Sequence, residues 1–298
     1  MRFTEIGQQL RAYRLESGLR AEEIAARLGV SRAALYRYEK GEVIKLDTVK
    51  RLAELLKISP LSLLGIGVEY YNRPVGFFER IRQTEETADQ LLQVSGPLCY
   101  LTTSDGFDAA LAEVCDEMVE QSETEKSSLR AAIEQVQGIM AARKRMYAIR
   151  RPGIIAILSQ SRIQRMLDSG VAGTVNLPEH LRRRCRQVAA AEIEHIADLM
   201  EAEPMGLQFG VLPTAEPTSS FEILRARDRA TLAINPFRAD GLPSVQTGVA
   251  MITGADEAVA THQRVAEQMW RESLKGAAGA SQIRRMLVQS NKASLNAA

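Results

Sequence analysis

Residues 19–41, LRAEEIAARLGVSRAALYRYEKG, hold the side chains whose types and spacing promise chemistry. From Ser31 onward the order is a hydroxyl, a cation, two small residues, and then Tyr36, Arg37 and Lys40. Wound into a helix, that order turns Leu35 and Tyr38 to one side and Arg32, Ala33, Tyr36, Arg37 and Lys40 to the other. Small side chains at the start of a helix let it approach base edges, and cations further along take phosphates or guanine. The exposed face therefore suits the DNA major groove. Arg32, Ala33, Ala34, Tyr36 and Arg37 are expected to face bases or nearby phosphates, while Ser31, Arg20, Lys40 and Lys45 anchor the DNA backbone.

The elements that must hold this face are legible on either side of it. Ile24, Ala25 and Leu28 give the preceding helix an apolar stripe, Gly29 permits a sharp turn, and Val30 plugs the corner. Ser31 carries the hydroxyl of an N-cap, ready to accept from a free amide in the next first turn. A helix over residues 4–16 turns Ile6, Leu10 and Tyr13 inward and stops at Gly18. Beyond a loop at 41–45, Asp47 stands where a carboxylate offsets a helix dipole. The fourth helix that it opens buries Val49, Leu52, Ala53, Leu55 and Leu56, and Ser59-Pro60 begins a short fifth.

These segments resemble the helix-turn-helix of the lambda-repressor and Cro class, the XRE family. The resemblance rests on LRAYRLESGL, EEIAARLGVS, Tyr38-Glu39-Lys40-Gly41 and LDTVKRLAELLKISPLSLLG, in that order over residues 6–64. It implies a five-helix domain that binds double-stranded DNA at a palindromic operator as a homodimer. One site departs from the pattern: Arg20 and Ala21 stand where Ser or Thr followed by Gln is usual. Arg20 is expected to supply the phosphate contact that the Gln would have made.

At 298 residues the chain is too long for such a bundle alone, so a second and larger domain must follow. Residues 1–66 carry twelve Lys and Arg against eight Asp and Glu, and the remainder twenty-six against twenty-nine. A basic head on a mildly acidic body fits a polyanion partner for the head only. Cys99, Cys115 and Cys185 are odd in number and far apart, which fits buried or inert thiols better than disulfides or a zinc motif. No apolar run approaches a membrane span and the start lacks a signal-peptide core, so the expected location is the cytoplasm.

The domain boundaries follow from composition: a DNA-binding domain at 1–67, a hinge at 68–76 where glycines and Pro74 break helical periodicity, a second domain at 77–289, and a loose tail at 290–298. Past the hinge the spacing predicts a helix over 77–94, a buried strand over 98–103, two helices, a strand over 154–158, a short helix, and a long one from Pro178 to Pro204. Strands at 207–212, 221–224, 230–234 and 245–252 follow, then helices at 256–274 and 281–288. The expected fold class is thus multidomain, an all-α head followed by an α/β domain whose mixed sheet is covered by helices. The long helix, LQFGVLP, SFEIL and SLKGAAGASQIRRML resemble sensor-like domains that follow the same head in many bacterial regulators, especially actinobacterial ones, and also phospholipase-D-like sensor domains.

Catalytic constellations are missing from the sequence. His180 is followed by Leu181 and Arg182, with Gln187 at the later Asp position, so the phospholipase-D pattern is broken; zinc, nucleophile-elbow and phosphate-loop motifs are absent. Glu192, Glu194, His195 and Asp198 cluster on the long helix and read as a solvated charged face, with a metal site as the rarer alternative. The runs 143–145 with 150–151, and 182–184 with Arg186, read as solvated helix faces or interface salt bridges. Loop 235–247, with Arg238 and Asp240, is either a plain connection or a ligand closure. The expectation is a regulator without enzymatic activity or cofactor, a repressor whose second domain dimerises and senses a small-molecule effector. The alternative is an antitoxin-like repressor controlled by a partner protein.

Overall fold

The chain opens with helices α1 Phe3–Ser17, α2 Ala21–Leu28, α3 Arg32–Glu39, α4 Leu46–Leu56 and α5 Pro60–Leu63. The computed structural model describes residues 3–94, 96–123, 126–173, 175–213, 217–237 and 247–296. Leu10, Ile24, Leu35, Leu52 and Leu63, one from each helix, are fully buried in a shared core. Val49, Leu52, Ala53 and Leu56 form the buried stripe of α4 at the spacing of one helix face, while Leu55 is only half-buried.

The next elements are β1 Val68–Tyr71, α6 Pro74–Glu85, β2 Gln90–Val94, a 3-10 turn Tyr100–Thr102, α7 Asp105–Gln121, α8 Lys126–Arg150, β3 Gly153–Ser159, α9 Gln160–Ser169 and α10 Glu179–Ala202. Then come β4 Leu207–Leu212, β5 Ser220–Arg225, β6 Ala230–Asn235, β7 Ala250–Thr253, α11 Asp256–Glu272, β8 Leu274–Lys275 and α12 Gly276–Asn296. The strands form one sheet in the order β1-β7-β6-β5-β2-β3-β4-β8. Strands β2, β3 and β4 run parallel, and the remaining pairings are antiparallel. Helices carry the chain between the parallel neighbours, as parallel pairing demands, and a tight connection joins β5 to β6. On one face a core continuous with the head runs under α6 to α10 and α12; on the other, Val94, Ile157, Ile223, Leu232 and Ala266 form a smaller core beneath α11.

Residues 68–76 form β1 and the first turn of α6 rather than an open linker. Gly65 and Gly67, at φ 70° and 92°, make the turn that aims the chain into β1, and Pro74 takes the first turn of α6, where its missing amide is harmless. Strand β1 buries Glu69 and Tyr71 on one face, and a carboxylate at an inward position disguises its alternation. The joint is packed tightly. Tyr13 stacks on Tyr71 at 5.3 Å between ring centroids, and Tyr71 meets Phe77 edge-on at 6.4 Å. Helix α6 comes so close to α1 that a Cβ on Gly76 would lie 2.8 Å from that of Glu16. Glu16 accepts from the amides of Asn72 at 2.6 Å and Arg73 at 3.1 Å, and so ties the chain entering α6 to α1.

Further elements differ from the spacing-based expectation. The stretch 77–94 divides into α6 and β2, because the register of β2 is fixed by β3 and β5, partners distant in sequence. The stretch 98–103 holds a 3-10 turn rather than a strand, since the hydroxyls of Thr102 and Thr103 donate back to the carbonyls of Cys99 at 3.0 Å and Tyr100 at 2.8 Å. Helix α12 continues to Asn296 through the stretch expected to be loose, and β8 is too short for periodicity to reveal. Residues 245 and 246 of the expected 245–252 strand, and Arg238 and Asp240 of the loop before it, lie outside the described residues.

Candidate nucleic-acid interface

The turn between α2 and α3 is built by local chemistry. Gly29 adopts φ 70°, and the Val30 amide donates to the Ala25 carbonyl at 3.0 Å, closing α2. Ser31 is extended at φ −74° and ψ 153°, and its hydroxyl accepts from the Ala34 amide at 3.1 Å. Arg20 precedes α2, where the Glu23 carboxylate accepts from its amide at 2.9 Å and meets its guanidinium at 3.3 Å. Leu35 pins α3 to the core with no exposure.

The outward face of α3 carries Arg32, Ala33 and Arg37, all exposed, with exposed Lys40 as its C-cap. Ala34 and Tyr36 are half-buried, so they stand at the margin of the face. Tyr36 packs against the core with the guanidinium of Arg14 5.8 Å, and that of Arg32 5.3 Å, from its ring centroid. Arg32 also donates to the Tyr36 hydroxyl at 3.2 Å and pairs with Glu22 at 2.7 Å, both side chains more than half exposed. Arg37 meets Glu42 at 3.5 Å in equally open surroundings. Exposed ion pairs of this kind contribute about 0–1 kcal/mol, so either arginine exchanges its carboxylate for a phosphate or a guanine at little penalty. Among the described residues Lys40 and Lys45 have no ion-pair partner, and both are exposed.

Beneath this face lies a pair that local spacing does not reveal. Arg14 donates to buried Glu39 at 2.5 and 3.0 Å, binding α1 to the end of α3. The two residues are 25 positions apart, so no periodicity links them. Arg14 also lies under Tyr36, which makes it a support of the face.

The charged groups of the second domain are sorted more by burial than by sequence clustering. Glu192 is not on a solvated face: it is buried and accepts from the Ser104 amide at 3.1 Å and from the Ser104 hydroxyl. Glu194 and Asp198 point elsewhere on α10, toward Arg284 at 3.0 and 2.8 Å, and His195 is exposed, so the sequence cluster is dispersed. Arg143, expected on a solvated or interface face, is buried against Glu85 at 2.7 Å, with Phe78 and Tyr100 flanking its guanidinium at 5.5 and 5.9 Å. Burial pushes the neighbouring Glu222 carboxyl up to about 7; Arg143 pulls it down and Glu85 adds to the rise. Arg182 and Arg186 pair with exposed Glu179. Cys99, Cys115 and Cys185 are buried free thiols, and burial pushes the Cys99 thiol up to about 12.

Residues 5–63 match a family model described as a helix-turn-helix domain. No curated protein matches the chain significantly. A solved structure described as TrmBL2, an archaeal chromatin protein with a novel mode of DNA binding, is similar at a TM-score of 0.32 and 12% identity, over 77% of this chain and 62% of that one. At that level the likeness carries no functional meaning. The head is therefore a helix-turn-helix domain, followed by a mixed-sheet α/β region. No helix among the described residues is long and apolar enough to cross a membrane.

Proposed function

We propose that this protein is a sequence-specific DNA-binding transcriptional regulator of the lambda-repressor and Cro class. It acts in the cytoplasm as a non-enzymatic repressor, and as a homodimer on a palindromic operator. The observation that carries this reading is the outward face of α3, where a Ser31 cap and buried Leu35 leave Arg32, Ala33 and Arg37 exposed within a helix-turn-helix domain. So short a helix reads few bases, which favours two copies on a symmetric site. Exposed Val43 and Leu46 beside it add an apolar pair suited to contact between heads. Selection of bound duplexes from a random pool tests the reading. A recovered palindrome supports it, and recovery of no preferred sequence overturns it.

Control by an effector belongs to the same proposal. A ligand alters operator affinity only if it binds the competent and incompetent states unequally. The packed joint between β1, α6 and α1 supports such coupling, because a displacement of the sheet domain carries the head with it. Operator titrations with and without pooled metabolites test it. Equal affinity throughout overturns the small-molecule part and leaves DNA recognition standing.

A further inference from the structure

The cleft of about 400 Å³ where the end of α3 meets α1 and α6 is lined by Arg11, Tyr36, Glu39, Lys40, Arg82 and Gln83, among others. Arg82 and Gln83 belong to α6, outside the helix-turn-helix match. Buried Glu79 holds two guanidinium groups at this place, Arg11 through Nε at 2.7 Å and Arg82 through Nη2 at 2.9 Å. A single anchor thus fixes cations from both domains at one cleft. Around it stand four cations, Arg11, Arg14, Lys40 and Arg82, against three carboxylates, Glu39, Glu79 and Glu86. The unmatched positive charge resides on Lys40, and a single phosphate would balance it.

The cleft also lies at the C-terminal end of the helix that the DNA-binding reading places in the groove. Helix α3 has eight residues and so spans about 12 Å, close to the width of the major groove. With its outward face on base edges, its last turn reaches the groove wall, where the phosphates are. Arg32, Tyr36 and Lys40 repeat every four residues, so one stripe leads from the base-reading face into the cleft.

We infer that the second domain shares in gripping DNA, with Arg82 on α6 joining Arg11 and Lys40 to hold a backbone phosphate. The inference rests on the DNA-binding reading and adds a contact outside the helix-turn-helix domain. It makes α6 part of the DNA surface as well as the clamp on α1.

The test measures affinity of the full-length protein for its selected duplex, and for a random duplex of equal length, over a series of salt concentrations. Arg82→Gln should weaken both several-fold alike and reduce the slope of log K against log salt by up to about 0.9, the value for a whole phosphate contact, because Arg11 and Lys40 remain. Glu86→Gln, at a partly exposed position, removes a competing carboxylate from Arg82 and should tighten both several-fold; it keeps the test decisive if Arg82→Gln misfolds. An unchanged slope in folded Arg82→Gln, tighter binding by that variant, or no effect of Glu86→Gln would each overturn the inference. If the unsubstituted protein binds neither duplex, the regulator reading itself has failed, which is a separate result.

Discussion

The two faces of the helix-turn-helix domain use the same chemistry under opposite conditions. On the outward face, Arg32 with Glu22 and Arg37 with Glu42 are more than half exposed. On the inward face, Glu69 lies between Gln9, at 2.6 Å, and Arg80, at 2.9 Å, while Glu39 takes Arg14, at 3.0 Å, and both carboxylates are buried. Water screens the outward pairs and leaves them free to change partners. Its absence makes the inward pairs hard to break, because separating them strands a charge in a poor solvent. The Arg–Glu pair is thus exchangeable in one place and a fastener in the other, and the surroundings decide which.

Four substitutions break or sharpen that contrast. Arg80→Ala should have the largest effect, destabilising the fold by about 3–5 kcal/mol in denaturant titration by leaving Glu69 buried without its cation. A loss like that of an exposed pair would show that the joint is not held by buried charge.

Next comes the pH dependence set by Glu222. Its folded value, about 7, stands above its ordinary 4.5, so the folded state keeps a proton that the unfolded chain releases. Stability from this group is complete below the ordinary value and is lost as pH rises through about 7. The fall is confined to the window between those two values. Glu222→Gln should flatten the stability curve between those limits, and a parallel curve would show that the carboxyl is ionised throughout.

Arg32→Ala should reduce discrimination between operator and random DNA by about 1–3 kcal/mol with little change in the unfolding midpoint, if this arginine reads a guanine. Equal losses on both duplexes would reassign it to a phosphate. Smallest is Ser31→Ala, which removes the hydroxyl that accepts from Ala34 and should lower stability by about 1 kcal/mol. A null result in thermal melts would mean that Leu35 alone sets the start of α3.

The head was legible because its signals are local. Gly29, Ser31 and the Val49, Leu52, Ala53 and Leu56 stripe of α4 each act within a few residues, and the structure places them as those spacings require. Strand β1 was not legible, since buried Glu69 satisfies its charge with Gln9 and Arg80, 60 and 11 positions away. Among the α10 carboxylates Glu192 alone departs from the expected solvated face, for the same reason: it finds its donor in Ser104, 88 positions earlier, while Glu194 and Asp198 keep side chains open to water.

From its residues alone, this protein declared an exposed cationic helix, the turn that presents it, and an α/β body of mixed strands. Helix faces and caps are written in the order of neighbours, and that order is what a sequence contains. Only the folded chain decided that residues 68–76 form β1 and the first turn of α6, that Arg143 is a buried fastener, and that Arg82 stands beside Lys40 at the end of α3. Those facts depend on which distant groups share a space closed to water, and burial of a charge is settled by its partners, not by its position along the chain.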